Sequence, residues 1–153
     1  MALFKENKIN SEKSTNQSTF IAKEIEVTGD FKGKGSMQIE GTVNGNISVN
    51  SVIIGESGQV NGNIESNNVI VNGKLNGSIK CNALDVMKKG VISNKIVTKN
   101  LQVSGSVEGD ISVSELLEVL PTGSVIGEIA VNKIATQEGG KIIGSMKIYV
   151  KED

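Results

Sequence analysis

The sequence predicts an all-β solenoid of about eight short coils, and three observations carry that expectation. A glycine-punctuated motif returns along most of the chain. Aliphatic and polar residues alternate with period two between those glycines. The composition of 153 residues, with 19 Ile, 17 Val, 18 Gly, one Pro and 3% aromatics, suits stacked strands rather than packed helices or a ring-filled core.

Residues 1–19 are polar, rich in Lys, Asn, Ser and Thr, and without helical or strand periodicity. They read as a flexible tail, with Met1-Ala2-Leu3-Phe4 as its one apolar stretch. From Phe20 to Val150 the period-two pattern holds, the mark of strands with one buried face. A single domain over residues 20–150, followed by a short tail at 151–153, is the expected organisation.

The repeat is aliphatic-x-Gly-x-aliphatic-x-Gly-x-aliphatic. Its clearest copies start at Ile39, Val71 and Val103 and place glycines at 41 and 45, 73 and 77, and 105 and 109. Between them lie versions with two extra residues, from Ile54 to Gly58, Val86 to Gly90, Val119 to Gly123 and Thr136 to Gly140. Two residues preserve the inward or outward sense of every later side chain, where one would flip the strand face. The insertions therefore read as bulged corners, with Gly55-Glu56-Ser57, Met87-Lys88-Lys89 and Leu120-Pro121-Thr122 projecting along one edge. The central aliphatic of each unit marks the coils as Phe31, Val43, Val60, Leu75, Ile92, Val107, Val125 and Ile142. Asn94 stands where the second glycine belongs, and Asn is the residue that next most readily accepts a positive φ. One such coil cannot bury its apolar face alone, so the units must stack. Eight of them at strand spacing make a rod of roughly 35–40 Å.

Composition excludes several functional classes. All 16 cations are Lys, His and Trp are absent, and the net charge is −1, which argues against general nucleic-acid binding. Hexapeptide-repeat acyltransferases need a histidine base and units of six, and neither is present. The four aspartates, at 30, 85, 110 and 153, are too scattered for a carbohydrate-cleaving site. Glu108 and Asp110 flank Gly109 and are expected to share a strand face as a solvated pair. Gly33-Lys34 lacks the rest of a phosphate loop, and Gly139-Gly140 lacks the aspartate of a calcium-binding repeat. Cys81 has no histidine to activate it and reads as a small neutral residue at a coil edge, in a reducing compartment. No cofactor, metal site or catalytic residue is expected. No run of 18 apolar residues spans a bilayer, and no secretory signal is recognisable, so the expected location is cytoplasmic.

What remains is the shape. A solenoid ends in two open strand edges, each a row of unpaired backbone groups that can template another chain. Ile25, Val27 and Phe31 at one end, and Ile142, Met146, Ile148 and Val150 at the other, are the expected self-association residues. Leu116, Leu117 and Leu120 are unusual in a chain built on Ile and Val, and are candidates for a partner-docking patch or for core packing of a wider coil. Two functional classes stay open, a self-assembling scaffold and a monomeric binding module displaying its flat faces.

With Ile39-Glu40-Gly41-Thr42-Val43-Asn44-Gly45-Asn46-Ile47, the repeated Gly-x-aliphatic-x-Gly-x-Ile phrases and the polar flank before them, residues 20–150 resemble the bactofilins. The resemblance implies a right-handed parallel β-helix that polymerises without nucleotide, joining like end to like end into apolar filaments. It also implies a bacterial cytoskeletal scaffold at the inner face of the cell membrane, which helps to localise cell-wall hydrolases and other morphogenesis proteins and so to maintain cell shape. Met1-Ala2-Leu3-Phe4-Lys5, with Lys8 behind, resembles the short membrane-targeting stretch of some members. Leu3 and Phe4 would insert shallowly while Lys5 and Lys8 meet anionic headgroups, the alternative being an inert or partner-binding tail. The C-terminal tail is very short compared with other members.

Overall fold

The computed structural model describes residues 18–149, and all regular structure among them is β. Each coil runs along three faces. In the first coil these are β1 (Ser18–Ile21), β2 (Glu26–Thr28) and β3 (Phe31–Lys32). The second repeats them as β4 (Ser36–Ile39), β5 (Thr42–Asn44) and β6 (Ile47–Ser48). The third has β7 (Ser51–Ile54), β8 (Gln59–Asn61) and β9 (Ile64–Glu65), and the fourth β10 (Asn68–Val71), β11 (Lys74–Asn76) and β12 (Ile79–Lys80). After β13 (Ala83–Val86) the strands run on around the corners as β14 (Val91–Val103), β15 (Ser106–Val119), β16 (Ser124–Thr136) and β17 (Lys141–Ile148). Every coil pairs in parallel with the next, as in β1 on β4, β4 on β7 and β16 on β17. The result is a parallel β-solenoid of about eight coils. The boundary expected at 19/20 falls inside β1.

Period-two alternation sends one side chain in two to the axis, where like residues stack in columns. The second face contributes Val27, Val43, Val60, Leu75, Ile92, Val107, Val125 and Ile142, one per coil. Phe31 was the expected first member of this column, and the register corrects that: Phe31 lies under Ile47 on the third face. The reason is a corner turn in the first coil, closed by the Ile25 N–H to the Ala22 carbonyl at 3.2 Å. Its glycine is replaced by Ile25, so the glycine motif does not reveal it.

The corner between the first and second faces carries the inserted residues. Equivalent turns are closed by Gly58 to Gly55, Gly90 to Met87, Gly123 to Leu120 and Gly140 to Gln137. They fall in the third, fifth, seventh and eighth coils and share one edge of the rod, as the insertions predict. The opposite corner, between the second and third faces, needs positive φ. Gly127 shows why: its φ is 138°, and a Cβ there would stand 1.9 Å from the Gly109 carbonyl oxygen. Asn94, in the same column, adopts φ 106°, as expected of Asn. The fit is looser, since the bond from the Gly77 N–H to the Ser93 carbonyl stretches to 3.4 Å where its counterparts from Gly45 and Gly62 measure 2.9 Å.

Candidate functional site: the two ends of the rod

Inside the rod each coil is covered above and below, so its inward residues are sealed from water. At the ends the same columns lose one neighbour. β17 pairs only with β16, and β1, β2 and β3 pair only with the coil above them. Their outer edges are rows of backbone donors and acceptors without a strand partner among the described residues.

At the N-terminal end Val27 and Phe31 are half-buried against the core and Ile25 is 50% exposed. Ile25 occupies the column filled by Gly41, Gly58, Gly73 and their successors, since its carbonyl accepts from Thr42 as the Gly41 carbonyl accepts from Gln59. A Cβ in this column points at the coil towards the N-terminus: at Gly41 it would meet the Ile25 carbonyl oxygen at 2.3 Å, and at Gly58 that of Ile39 at 2.3 Å. Among the described residues no coil lies on that side of the first, and a branched side chain fits there.

At the C-terminal end Ile142 is half-buried, Met146 is exposed and Ile148 is 75% exposed. Each tops an inward column, standing on Val125, Ile129 and Val131 respectively. Val150 lies outside the described residues, as do Met1, Leu3, Phe4 and Lys5. Ile134, on the first face above Leu117, is a further uncovered column residue at this end. The glycine motif reaches only the last inward residue of the first face, as at Ile39, Val71 and Val103, so the other first-face column, which ends in Ile134, was not found from it.

The other candidates separate. Leu117 is fully buried in a first-face column and offers no surface, which corrects its place in a docking patch; Leu116 faces outward beside it and Leu120 is half-buried at the inserted corner. Glu108 and Asp110 do not share a strand face, because the left-handed turn at Gly109 puts Glu108 at the end of the second face and Asp110 at the start of the third. Cys81 is buried at the corner after the third face, its Sγ 3.5 Å from the Thr98 hydroxyl, and burial pushes its thiol pKa up. A neutral thiol packed in the core is a poor nucleophile. Among the described residues no group of three metal-ligating side chains and no helix long and apolar enough to cross a membrane occurs.

Among the described residues the fold is a stacked parallel solenoid whose first and last strands have one unpaired edge each. The sequence agrees: a family model described as Bactofilin, polymer-forming cytoskeletal, matches residues 19–93 and again residues 82–147. The chain belongs to the bactofilin family. Comparison with curated proteins returns no match, and comparison with solved structures returns none.

Proposed function

We propose that this chain is a scaffold that polymerises through its two open ends, without nucleotide, into filaments lying at the inner face of the cell membrane. There it would hold cell-wall-modifying proteins in place and so help to set cell shape. The observation that carries the polymerisation reading is the pair of ends: among the described residues inward columns terminate in half-buried Val27 and Phe31 on one side, with Ile25 exposed at the corner beside them, and in Ile142, Met146 and Ile148 on the other. Covering them with a second copy removes apolar surface from water and satisfies the strand edge in one step.

Ile25 favours joints between like ends. In a head-to-tail joint continuing the helix, its side chain would enter the space that the interior coils reserve for glycine. Even at Gly140, where that space is widest, a Cβ would meet Val119 Cγ1 at 2.9 Å and the Leu120 carbonyl oxygen at 3.1 Å. A two-fold joint brings Ile25 against its own counterpart instead, and such joints build filaments without polarity.

The membrane part of the reading rests on the resemblance of residues 1–5. Two apolar side chains give only a few kcal/mol of insertion, which a filament multiplies by presenting many copies at once. Negative-stain microscopy of the purified chain beside an Ile142→Lys/Ile148→Lys variant tests the polymer: filaments from the first and folded, dispersed particles from the second are expected. Dispersed rods from both, well above micromolar concentration, would favour the monomeric binding module. Co-sedimentation of filaments with anionic vesicles, lost in a Leu3→Ser/Phe4→Ser variant, tests the membrane contact.

A further inference from the structure

Four asparagines in this chain precede glycine: Asn44, Asn61, Asn72 and Asn76. Asparagine is a thermolabile residue, and it is least protected before glycine, which has no side chain to keep its own backbone nitrogen away from the asparagine Cγ. The four share similar neighbours, with Val or Leu before the pair and Asn, Lys or Ser after it. What separates them is how the fold holds them.

Loss of the side-chain amide needs a side chain free to turn, a glycine nitrogen released from its hydrogen bond, and water. Asn44 and Asn61 are half-buried and bonded at both ends of the amide. Asn44 donates to Glu26 at 2.8 Å and accepts from Asn61 at 2.8 Å, while Asn61 accepts from Asn76 at 3.0 Å. The N–H groups of Gly45 and Gly62 donate to the Asn61 and Asn76 carbonyls at 2.9 Å each. Asn72 is half-buried, its Oδ1 accepts the Lys89 N–H at 3.3 Å, and Gly73 behind it is buried. Asn76 differs on every count. It is exposed, its Oδ1 accepts no hydrogen bond among the described residues, and the Gly77 N–H reaches the Ser93 carbonyl only at 3.4 Å, which is a weak bond. That looseness comes from the next coil, where Asn94 takes the place of a corner glycine.

We infer that Asn76 is a spontaneous modification site, at which the folded rod converts asparagine to aspartate and isoaspartate with water as the one co-reactant. The Gly77 nitrogen attacks Asn76 Cγ and gives up its proton. The new C–N bond closes a cyclic imide as the Cγ–Nδ2 bond breaks, and the amide group leaves with that proton as ammonia. Water then opens the imide at either carbonyl. One opening leaves aspartate in a normal main chain, and the other leaves isoaspartate, whose main chain runs through the former side-chain carbon.

Either product removes the last rung of the asparagine ladder. A carboxylate at position 76 has no hydrogen to give Asn61 Oδ1 and sets a negative oxygen against it. Isoaspartate also lengthens the main chain beside Gly77, where the coils stand so close that a Cβ would lie 1.9 Å from the Gly62 carbonyl oxygen. β11, which carries Asn76, is the last short strand of the second face before the long β14, so the change falls in the middle of the rod.

The test incubates the full chain in warm, mildly alkaline buffer, beside the same chain in urea and beside Asn94→Gly. Cleavage after lysine isolates Asn76 in the peptide Leu75–Lys80, apart from the other three in residues 35–74. Mass spectrometry with fragmentation reads conversion at each asparagine, and enzymatic methylation counts isoaspartate. In the folded chain Asn76 is expected to convert several-fold faster than Asn44, Asn61 and Asn72, whose protection requires local opening. In urea the four are expected to convert alike, and in folded Asn94→Gly the Asn76 rate is expected to fall towards that of Asn44 and Asn61. Folded Asn76 converting no faster than the others, the same preference for it in urea, or an unchanged Asn76 rate in Asn94→Gly would each overturn the inference.

Discussion

The two halves of this rod solve the same corner in different ways. From Ser18 to Val86 the strands are two to four residues long and break at each corner; from Val91 to Ile148 they are eight to fourteen residues long and run through the corners. In the first half side chains bridge the break. Asp30, Asn46 and Asn63 each accept, through Oδ1, the backbone N–H of the matching residue one coil further on, Asn46, Asn63 and Ser78. On the second face Asn44, Asn61 and Asn76 form a ladder, with Asn61 donating to Asn44 at 2.8 Å and Asn76 to Asn61 at 3.0 Å. In the second half the matching corner positions are Lys95, Asp110 and Glu128, and the ladder positions Ser93, Glu108 and Ile126. There the backbone pairs across the corner and needs no side chain. The difference teaches that side-chain bonds supplement the backbone pairing where the strands break at the corner, while unbroken strands rely on backbone pairing alone.

The sharpest way to break the comparison is a corner glycine of the second half. Gly127→Ala is expected to destabilise by about 3 kcal/mol or more, since its Cβ has nowhere to go but the Gly109 carbonyl. Urea denaturation of the non-polymerising Ile142→Lys/Ile148→Lys host would measure it. Next, Asn61→Ala removes the middle rung of the ladder and is expected to cost about 1–2 kcal/mol. Glu108→Ala, in the same column of the second half, is expected to stay within about 0.5 kcal/mol. Equal losses in the two would contradict the division of labour. Asn94→Gly should gain about 1 kcal/mol by relieving a side chain at φ 106°.

The smallest effect concerns Asp85. Burial pushes its carboxyl pKa up, so the folded state holds the proton more tightly than the unfolded one. Its favourable contribution is complete below the unfolded pKa and is lost as pH rises through the folded pKa. Asp85→Asn should therefore raise stability slightly at neutral pH, by under about 0.5 kcal/mol, and lose that gain in acid. A gain that grew towards acid would contradict the burial account.

Much of this was legible in the sequence because a corner glycine is a geometric demand. Gly45, Gly77 and Gly109 announced the second corner, and Asn94 stood in the same place as the residue type that next most readily accepts a positive φ. The first face was harder to read, since Met37, Val52, Leu84 and Leu101 alternate without any glycine to fix their register. The same blindness moved the first coil's marker from Val27 to Phe31. Ile25 in a glycine column looked like an ordinary strand residue until the column's Cβ direction was known. Leu117 was ambiguous for another reason, because an Leu pair within an alternating strand always sends one member in and one out.

The central claim is end-to-end assembly through like ends. Cryo-electron microscopy of the filaments, at a resolution that distinguishes the turn-rich first half from the long-stranded second half, reads the direction of each rod. Rods alternating in direction, with first coils meeting at every second joint and eighth coils at the others, are the predicted result. Rods all pointing one way, with Ile25 seated on the eighth coil of its neighbour, would contradict it.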